Sequence, residues 1–267
     1  MILLKRLAVF LFVICIICSY QLNAEPRHGA SAVLNRFADV LMNGAKAYFG
    51  VHDTAEVSLF PPPVPLINID NQLDRNYRPE NMINIASYVR AIRNPILLEE
   101  NAANAYIRMV ASMREYGITD MAAISGFRDW DHQNRLHNAQ IERHARYLPM
   151  AEARARAATI VAPPGASEHQ SGLAIDVSSA EVGFSLTARF ENTRSFRWLS
   201  ENAHTYGFII RYPRDSTDIT GFIFEPWHLR YVGAEHAIRI FEAGVTLEEY
   251  LEMYSYFYNY NDASHVS

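Results

Sequence analysis

Apolar residues recur along the chain in two rhythms: steps of three and four, which predict helices, and strict alternation, which predicts strands. Val33, Leu34, Phe37, Val40, Leu41 and Ala47 follow the first rhythm and predict an amphipathic lead-in helix over about 30–48. The proline-rich stretch from Phe60 to Pro65 cannot continue it. Leu66 to Asp70 reads as a short extended piece and Asn71 to Pro79 as a surface loop. Pro95 to Tyr116 predicts a long helix with Leu98, Ala102, Ala105, Ile107, Met109 and Met113 on its buried stripe, ended by Gly117. Met121 to Ser125 follows as a short apolar strand. Asp131 to Thr159 is a helical stretch broken near Leu148-Pro149 and closed by Pro163-Pro164-Gly165.

Downstream, Leu173, Ile175 and Val177 alternate with Ala174 and Asp176, which predicts a strand carrying Asp176 on the face opposite the buried aliphatics. Ser195 to Tyr206 predicts a helix stopped by Gly207, and Phe208 to Tyr212 a strand. Phe222 to Phe224 predicts a second strand, antiparallel to that one and ending at Glu225. Two helices are expected at Ala234–Ala243 and Leu247–Tyr258, and a polar, frayed tail over 259–267. Helices and short strands come in mixed order, without regular strand-helix alternation, so the expected class is α+β.

Composition changes this picture at one end of the chain. With 267 residues, 49% of them hydrophobic, there is material for one large domain or two small ones. A net charge of -5 gives no basic face, which argues against a nucleic-acid partner. Lys5 and Arg6 precede an apolar run from Leu7 to Cys18, and Leu22-Asn-Ala24 places a small residue before Glu25, the layout of a secretory signal peptide over 1–24. The run is shorter than the roughly 20 apolar residues a bilayer span needs. A cleaved signal is therefore favoured over an uncleaved anchor, with a location in the periplasm or cell envelope and no stable membrane insertion afterwards. Both cysteines, Cys15 and Cys18, fall inside this segment. A mature chain would carry no thiol, and its metal ligands must be His, Asp or Glu.

Two runs concentrate such ligands: Ser167-Glu-His-Gln-Ser-Gly-Leu-Ala-Ile-Asp176 and Glu225-Pro-Trp-His228. His169, Asp176 and His228 supply two imidazoles and one carboxylate, the donor set of a catalytic zinc that keeps its fourth position open for water. Glu225 would sit beside that water. His169 lies seven residues before Asp176, an odd offset that a straight strand would put on the wrong face, and Gly172 supplies the bend. Pro226 rules out a helix interior between Glu225 and His228, so that the two side chains can converge. His137 and His144 share a helix face without a third ligand and read as solvated.

SEHQSGLAID resembles the SxHxxGxAxD motif, and EPWHLRYVG the ExxH segment, of the VanY-type D-alanyl-D-alanine carboxypeptidases. These belong with the lysostaphin, D-Ala-D-Ala peptidase and hedgehog fold group. A third block, Ser125-Gly-Phe-Arg128 with Gln133 following, resembles the family's SGYR segment. The resemblance runs from about Leu66 to about Val232, with the motifs in the family's order. It implies a small, mainly antiparallel sheet flanked by helices, with a zinc site in a cleft on one sheet face. The carboxypeptidase-like domain would occupy 66–258, behind a helical lead-in and Pro-rich linker at 25–65.

The same resemblance implies one Zn2+ per chain on His169, Asp176 and His228, and Glu225 as the catalytic base. Arg128 would read the substrate's terminal carboxylate, with Ser167 as a second contact, and Gln133 would orient Arg128 or line the cleft. Phe127 replaces the family's usual Tyr. Asp129 replaces a frequent serine, where it could pair with Arg128 or tune its reach. Trp227, Tyr212 and Tyr231 either wall the cleft or pack in the core. The implied activity is removal of the terminal D-alanine from peptidoglycan stem peptides. An L,D-carboxypeptidase or peptidoglycan endopeptidase of the same fold stays open. So does a reading from a different class, a non-catalytic zinc-bearing binding module, although such a module has no need to keep Glu225, the ligands and Arg128 all at once.

Overall fold

Residues 64–253 are described by the structure, a computed structural model. The segments expected as signal, lead-in helix and frayed tail lie outside them. No strand forms at Leu66 to Asp70, because Asn68 Oδ1 accepts hydrogen bonds from the N–H groups of Asp70 and Asn71 and folds the chain into an Asx turn. Strand β1 (Met82–Asn84) pairs antiparallel with β2 (Leu97–Glu99), setting Ile83 opposite Leu98. Helix α1 (Glu100–Glu115) starts only after β2, so the single helix expected from Pro95 is in fact a strand followed by a helix. The Glu99 carboxylate accepts from the N–H groups of Asn101 and Ala102 and caps α1 there. Leu98 is buried as a strand residue rather than as part of the helical stripe.

Strand β3 (Met121–Ser125) leads to helices α2 (Trp130–Ala145) and α3 (Met150–Ala158), which break at Pro149 as the pattern predicts. Strand β4 (Ala174–Ser179), helix α4 (Arg194–Asn202), strand β5 (Phe208–Tyr212), the one-turn helix α5 (Thr217–Thr220) and strand β6 (Glu225–Tyr231) follow. Helix α6 (Ala234–Ala243) and a last helix α7 over 247–253 end the described chain. Phe222 to Phe224 does not form the expected strand, and β6 begins where that strand was to end. The Ile223 N–H goes to the Thr159 carbonyl beyond α3 rather than to β5.

The larger sheet has strand order β3-β4-β6-β5, with every neighbouring pair antiparallel. One face packs on α1 and α4. Ile175, Val177, Phe208 and Leu229 meet Tyr106, Met109, Trp198 and Leu199 in the main apolar core. Ile209 joins a second cluster with Val232, Ala237, Ile240, Leu247 and Tyr250, which binds α6 and α7 to the sheet. Every residue of β4 is buried, and Asp176 alternates with the aliphatics Ile175 and Val177 as the period-two pattern requires. Among the described residues no helix is long and apolar enough to cross a membrane.

Gly172 makes the bend into β4 at φ 72°, and its carbonyl accepts from the Glu99 N–H at 3.0 Å. A Cβ there would lie 3.0 Å from Glu99 N and 3.1 Å from Pro79 Cγ. Left-handed backbone costs a non-glycine residue roughly 1–2 kcal/mol. Gly172→Ala should therefore lower the unfolding free energy by at least about that amount; an unchanged urea midpoint would show that the bend relaxes freely.

Candidate metal centre

The register between β4 and β6 sets Asp176 directly opposite His228. Directly opposed strand residues have Cβ atoms only about 4.5–5.5 Å apart, so their side chains meet. His228 Nδ1 stands 3.2 Å from Asp176 Oδ1. His169 arrives by another route, on the 3-10 turn Glu168–Ser171 that Gly172 terminates, and its Nε2 lies 3.2 Å from Asp176 Oδ2. One donor atom from each of these buried side chains can be chosen so that all lie within 4.8 Å of one another.

The far nitrogen of each ring is already committed. His169 Nδ1 is 2.7 Å from the Gly126 carbonyl, which can only accept, so that nitrogen carries the hydrogen. His228 Nε2 is 3.2 Å from the Glu168 carboxylate, whose ionisation likewise makes the nitrogen the donor. The inward nitrogens, His169 Nε2 and His228 Nδ1, are left facing Asp176. Among the described residues both His169 Nε2 and Asp176 Oδ1 are buried without a hydrogen-bond partner, despite their short distances to neighbouring ligand atoms. Buried polar atoms are rarely left so. Two imidazoles fixed by outer hydrogen bonds and aimed inward with one carboxylate are what a bound cation requires, and the donor set suits zinc.

Electrostatics fit the same picture. Burial, helped by the Arg128 guanidinium, lowers the His169 pKa to about 4 and keeps that imidazole neutral. Burial resists ionisation of Asp176, but the flanking imidazoles and Arg128 hold it well below the usual carboxylate range. For His228 burial also opposes the charge, yet the neighbouring Asp176 and Glu168 carboxylates win and raise it to about 9.

Glu225 Oε2 lies 3.9 Å from His228 Nδ1. An offset of three puts residues on opposite faces of a regular strand, so Pro226 alone does not bring them together. The β5–β6 register slips between Ile210 and Tyr212, and this bulge turns Glu225 toward the site. Burial pushes the Glu225 carboxyl up to about 8, with Asp176 adding to the effect and His228 and Arg128 opposing it.

A second register shift, between Ala123 and Ser125 on β3, precedes Arg128. Its Nη1 donates to Asp176 Oδ2 at 3.2 Å and to Ser125 Oγ at 3.0 Å, and its Nε to Gln133 Oε1 at 3.0 Å. Gln133 in turn donates to the Ala162 carbonyl, so it orients the guanidinium. Nη2 makes no hydrogen bond among the described residues. Ser167 is buried at the entrance to the 3-10 turn, next to Glu168. Asp129 does not pair with Arg128; it caps α2 through the His132 N–H and meets Arg78 at 3.2 Å. Both residues line a cavity of about 270 Å³ with Arg75, Asn76, Trp130 and Asp131. Tyr212 lies against the His228 ring at 4.9 Å, whereas Trp227 and Tyr231 pack on the main core. His137 and His144 are both half-buried, with His137 Nδ1 bonded to the Val161 carbonyl and His144 Nε2 to the Gln140 amide.

Glu168, Arg211 and Arg230 are the residues that motif reading passed over. Glu168 is fully enclosed, with Arg211 Nε and Arg230 Nη1 each 2.7 Å from its Oε1. The available signal was an arginine within each of two otherwise inward-facing strand segments, which demands a buried counter-charge.

Two histidines and one aspartate closed in behind by hydrogen bonds, with a protonatable carboxylate alongside, define the class of centre used by zinc hydrolases. The chain belongs to the VanY family, described as D-alanyl-D-alanine carboxypeptidase, which residues 95–234 match. The putative carboxypeptidase YodJ of Bacillus subtilis is 38% identical over 190 residues, covering 70% of this chain and 66% of its own. The structure of the LdcB LD-carboxypeptidase is 37% identical with a TM-score of 0.63, covering 70% of this chain and 84% of that one. A mutant of the vancomycin resistance D,D-pentapeptidase VanY from a VanB-type cassette, solved with Zn(II), is 34% identical with a TM-score of 0.59, covering 70% and 97%. Across the first three curated relatives the chain spans 66%, 46% and 56% of their own lengths.

A carboxyl whose pKa is raised by folding stabilises the protein below its unfolded value and loses that contribution as pH rises through the folded value. With chelator present, wild-type stability relative to Glu225→Gln should therefore fall between about pH 4.5 and 8 and level off above. Urea unfolding of both proteins at pH 5 and pH 9 measures this, and a pH-independent difference would refute the buried, protonated Glu225.

Proposed function

We propose that the chain is a zinc-dependent carboxypeptidase that removes the terminal D-alanine from D-Ala-D-Ala stem peptides of peptidoglycan, outside the cytoplasm. The observation that carries this is Arg128, whose Nη1 touches Asp176 while its Nη2 makes no hydrogen bond among the described residues. A guanidinium so placed suits an enzyme that must grip a free C-terminal carboxylate beside the bond it cuts. Gln133 and Ser125 keep it from swinging away.

His169, Asp176 and His228 would hold the zinc ion. When bound there, zinc supplies Lewis acidity, making a water nucleophilic near neutral pH and polarising the scissile carbonyl. Glu225 takes the proton of the attacking water and returns it to the amine of the departing D-alanine. The burial that raises its pKa brings the carboxyl into the range where it can both accept and release a proton. Tyr212 against the His228 ring excludes solvent from that side. The D,D reading draws on the family description and on the D,D-pentapeptidase relative. The likeness to an LD-carboxypeptidase supports a second reading, cleavage of the L,D bond left once one D-alanine is gone. Export over the 1–24 segment would bring the enzyme to its polymer, and the secreted chain should then begin at Glu25 by N-terminal sequencing; an N-terminus at Met1 would contradict cleavage.

The test is D-alanine release from a pentapeptide ending in D-Ala-D-Ala and from the matching tetrapeptide, with and without chelator. Release from the pentapeptide, abolished by chelator and restored by zinc, is expected; preference for the tetrapeptide would establish the L,D reading, and no release from either would remove both. Glu225→Gln should keep its zinc and lose about 10²- to 10⁴-fold in kcat, while His228→Ala should lose zinc by elemental analysis. Arg128→Lys should lower kcat/KM by about 10- to 100-fold, as expected for a weakened hydrogen bond to a charged group; full turnover in either the Glu225 or the Arg128 variant would remove that residue from the mechanism.

A further inference from the structure

Behind the metal centre lies a closed charge cluster that the reaction itself does not use. Glu168 divides its two oxygens: Oε1 takes both Arg211 and Arg230 at 2.7 Å, and Oε2 faces His228 Nε2 at 3.2 Å. Arg211 reaches onward to Glu248 on α7, with its Nη1 2.8 Å from Oε2. Arg230 closes the other side on the carbonyls of Pro65 and Tyr231. Glu168, Arg211 and Arg230 are each 1% exposed or less, so water screens them little.

The two glutamates and two arginines sum to zero charge. A buried arginine pair left with a single carboxylate would put a surplus positive charge behind a site that must accept a dication. Glu248, bonded to Arg211 and not to a ligand, supplies the second carboxylate.

We infer that Glu168 and Glu248 are positioning residues for the metal. Glu168 holds the His228 ring with Nδ1 inward, and Glu248 on α7 completes the charge balance, so that cation binding and docking of the last helix are coupled. The inference rests on the reading of His169, Asp176 and His228 as a zinc site. Coupling of this kind is reciprocal: what α7 does for the cation, the cation does for α7.

Zinc affinity of the purified chain, measured by competition with a chromophoric chelator, tests it without reference to turnover. Glu168→Gln should weaken binding about 10- to 100-fold, the usual effect of losing a ligand's outer partner. Glu248→Gln should weaken it about tenfold, although that side chain bonds no ligand. Adding Arg211→Gln to Glu248→Gln restores neutrality and should recover affinity to within about threefold of wild type. Zinc should also slow amide exchange over 247–253 in the wild type and not in Glu248→Gln. A purely structural role would make the double variant bind no better than the single one, and that result would overturn the inference, as would a Glu248→Gln affinity equal to wild type. Failure of the wild-type chain to bind zinc would overturn the site reading itself, and this inference with it.

Discussion

Asp176 faces His228 because β4 and β6 pair in one register. A slip of one residue would turn Asp176 into the apolar layer that Ile175 and Val177 now fill and expel those aliphatics from the main core. Burial on both faces of β4 makes that slip costly, so the same packing that stabilises the sheet also specifies the ligand pair. His169, Glu225 and Arg128 are then brought to that pair by local irregularities. These are a left-handed glycine, a bulge opposite β5 and a bulge in β3. Regular strands build the frame, and departures from regularity aim the side chains.

The two faces of the sheet have opposite physical characters. The face toward α1 and α4 is a dry apolar core. The other carries a dense set of buried charges, from Arg128 and Asp176 through His228 and Glu168 to Arg211, Arg230 and Glu248. Such burial is weak evidence for stability, since desolvation offsets much of what the pairing contributes. Its value lies in geometry. Most of these groups are locked by two or more partners, which fixes which nitrogen of each imidazole faces inward.

Much of this was legible along the chain, and the rest was hidden for identifiable reasons. Period-two alternation around Asp176 and the Phe208–Tyr212 run marked β4 and β5, and Pro149 marked the helix break. The segment after Pro95 misled because Leu98 suits either a strand or a helical stripe, and the Glu99 cap decides only in three dimensions. Phe222 to Phe224 has strand composition, yet its N–H finds Thr159 instead of β5. In the site, His169, Asp176, His228, Glu225 and Arg128 stood inside recognisable motifs. Asp129 was misjudged because a cap and an ion pair use the same residue type. Glu168 was adjacent to a motif histidine, but its importance depends on Arg211 and Arg230, about 40 and 60 residues away in the chain, and no local spacing expresses that.

X-ray absorption at the zinc edge of the reconstituted chain tests the central claim most directly. The account requires a first shell of nitrogen and oxygen only, near 2.0–2.2 Å, with the outer-shell scattering of two imidazoles. A shell lacking imidazole scattering, or showing only one ring, would contradict the convergence of His169 and His228 on Asp176 and with it the functional reading of the chain.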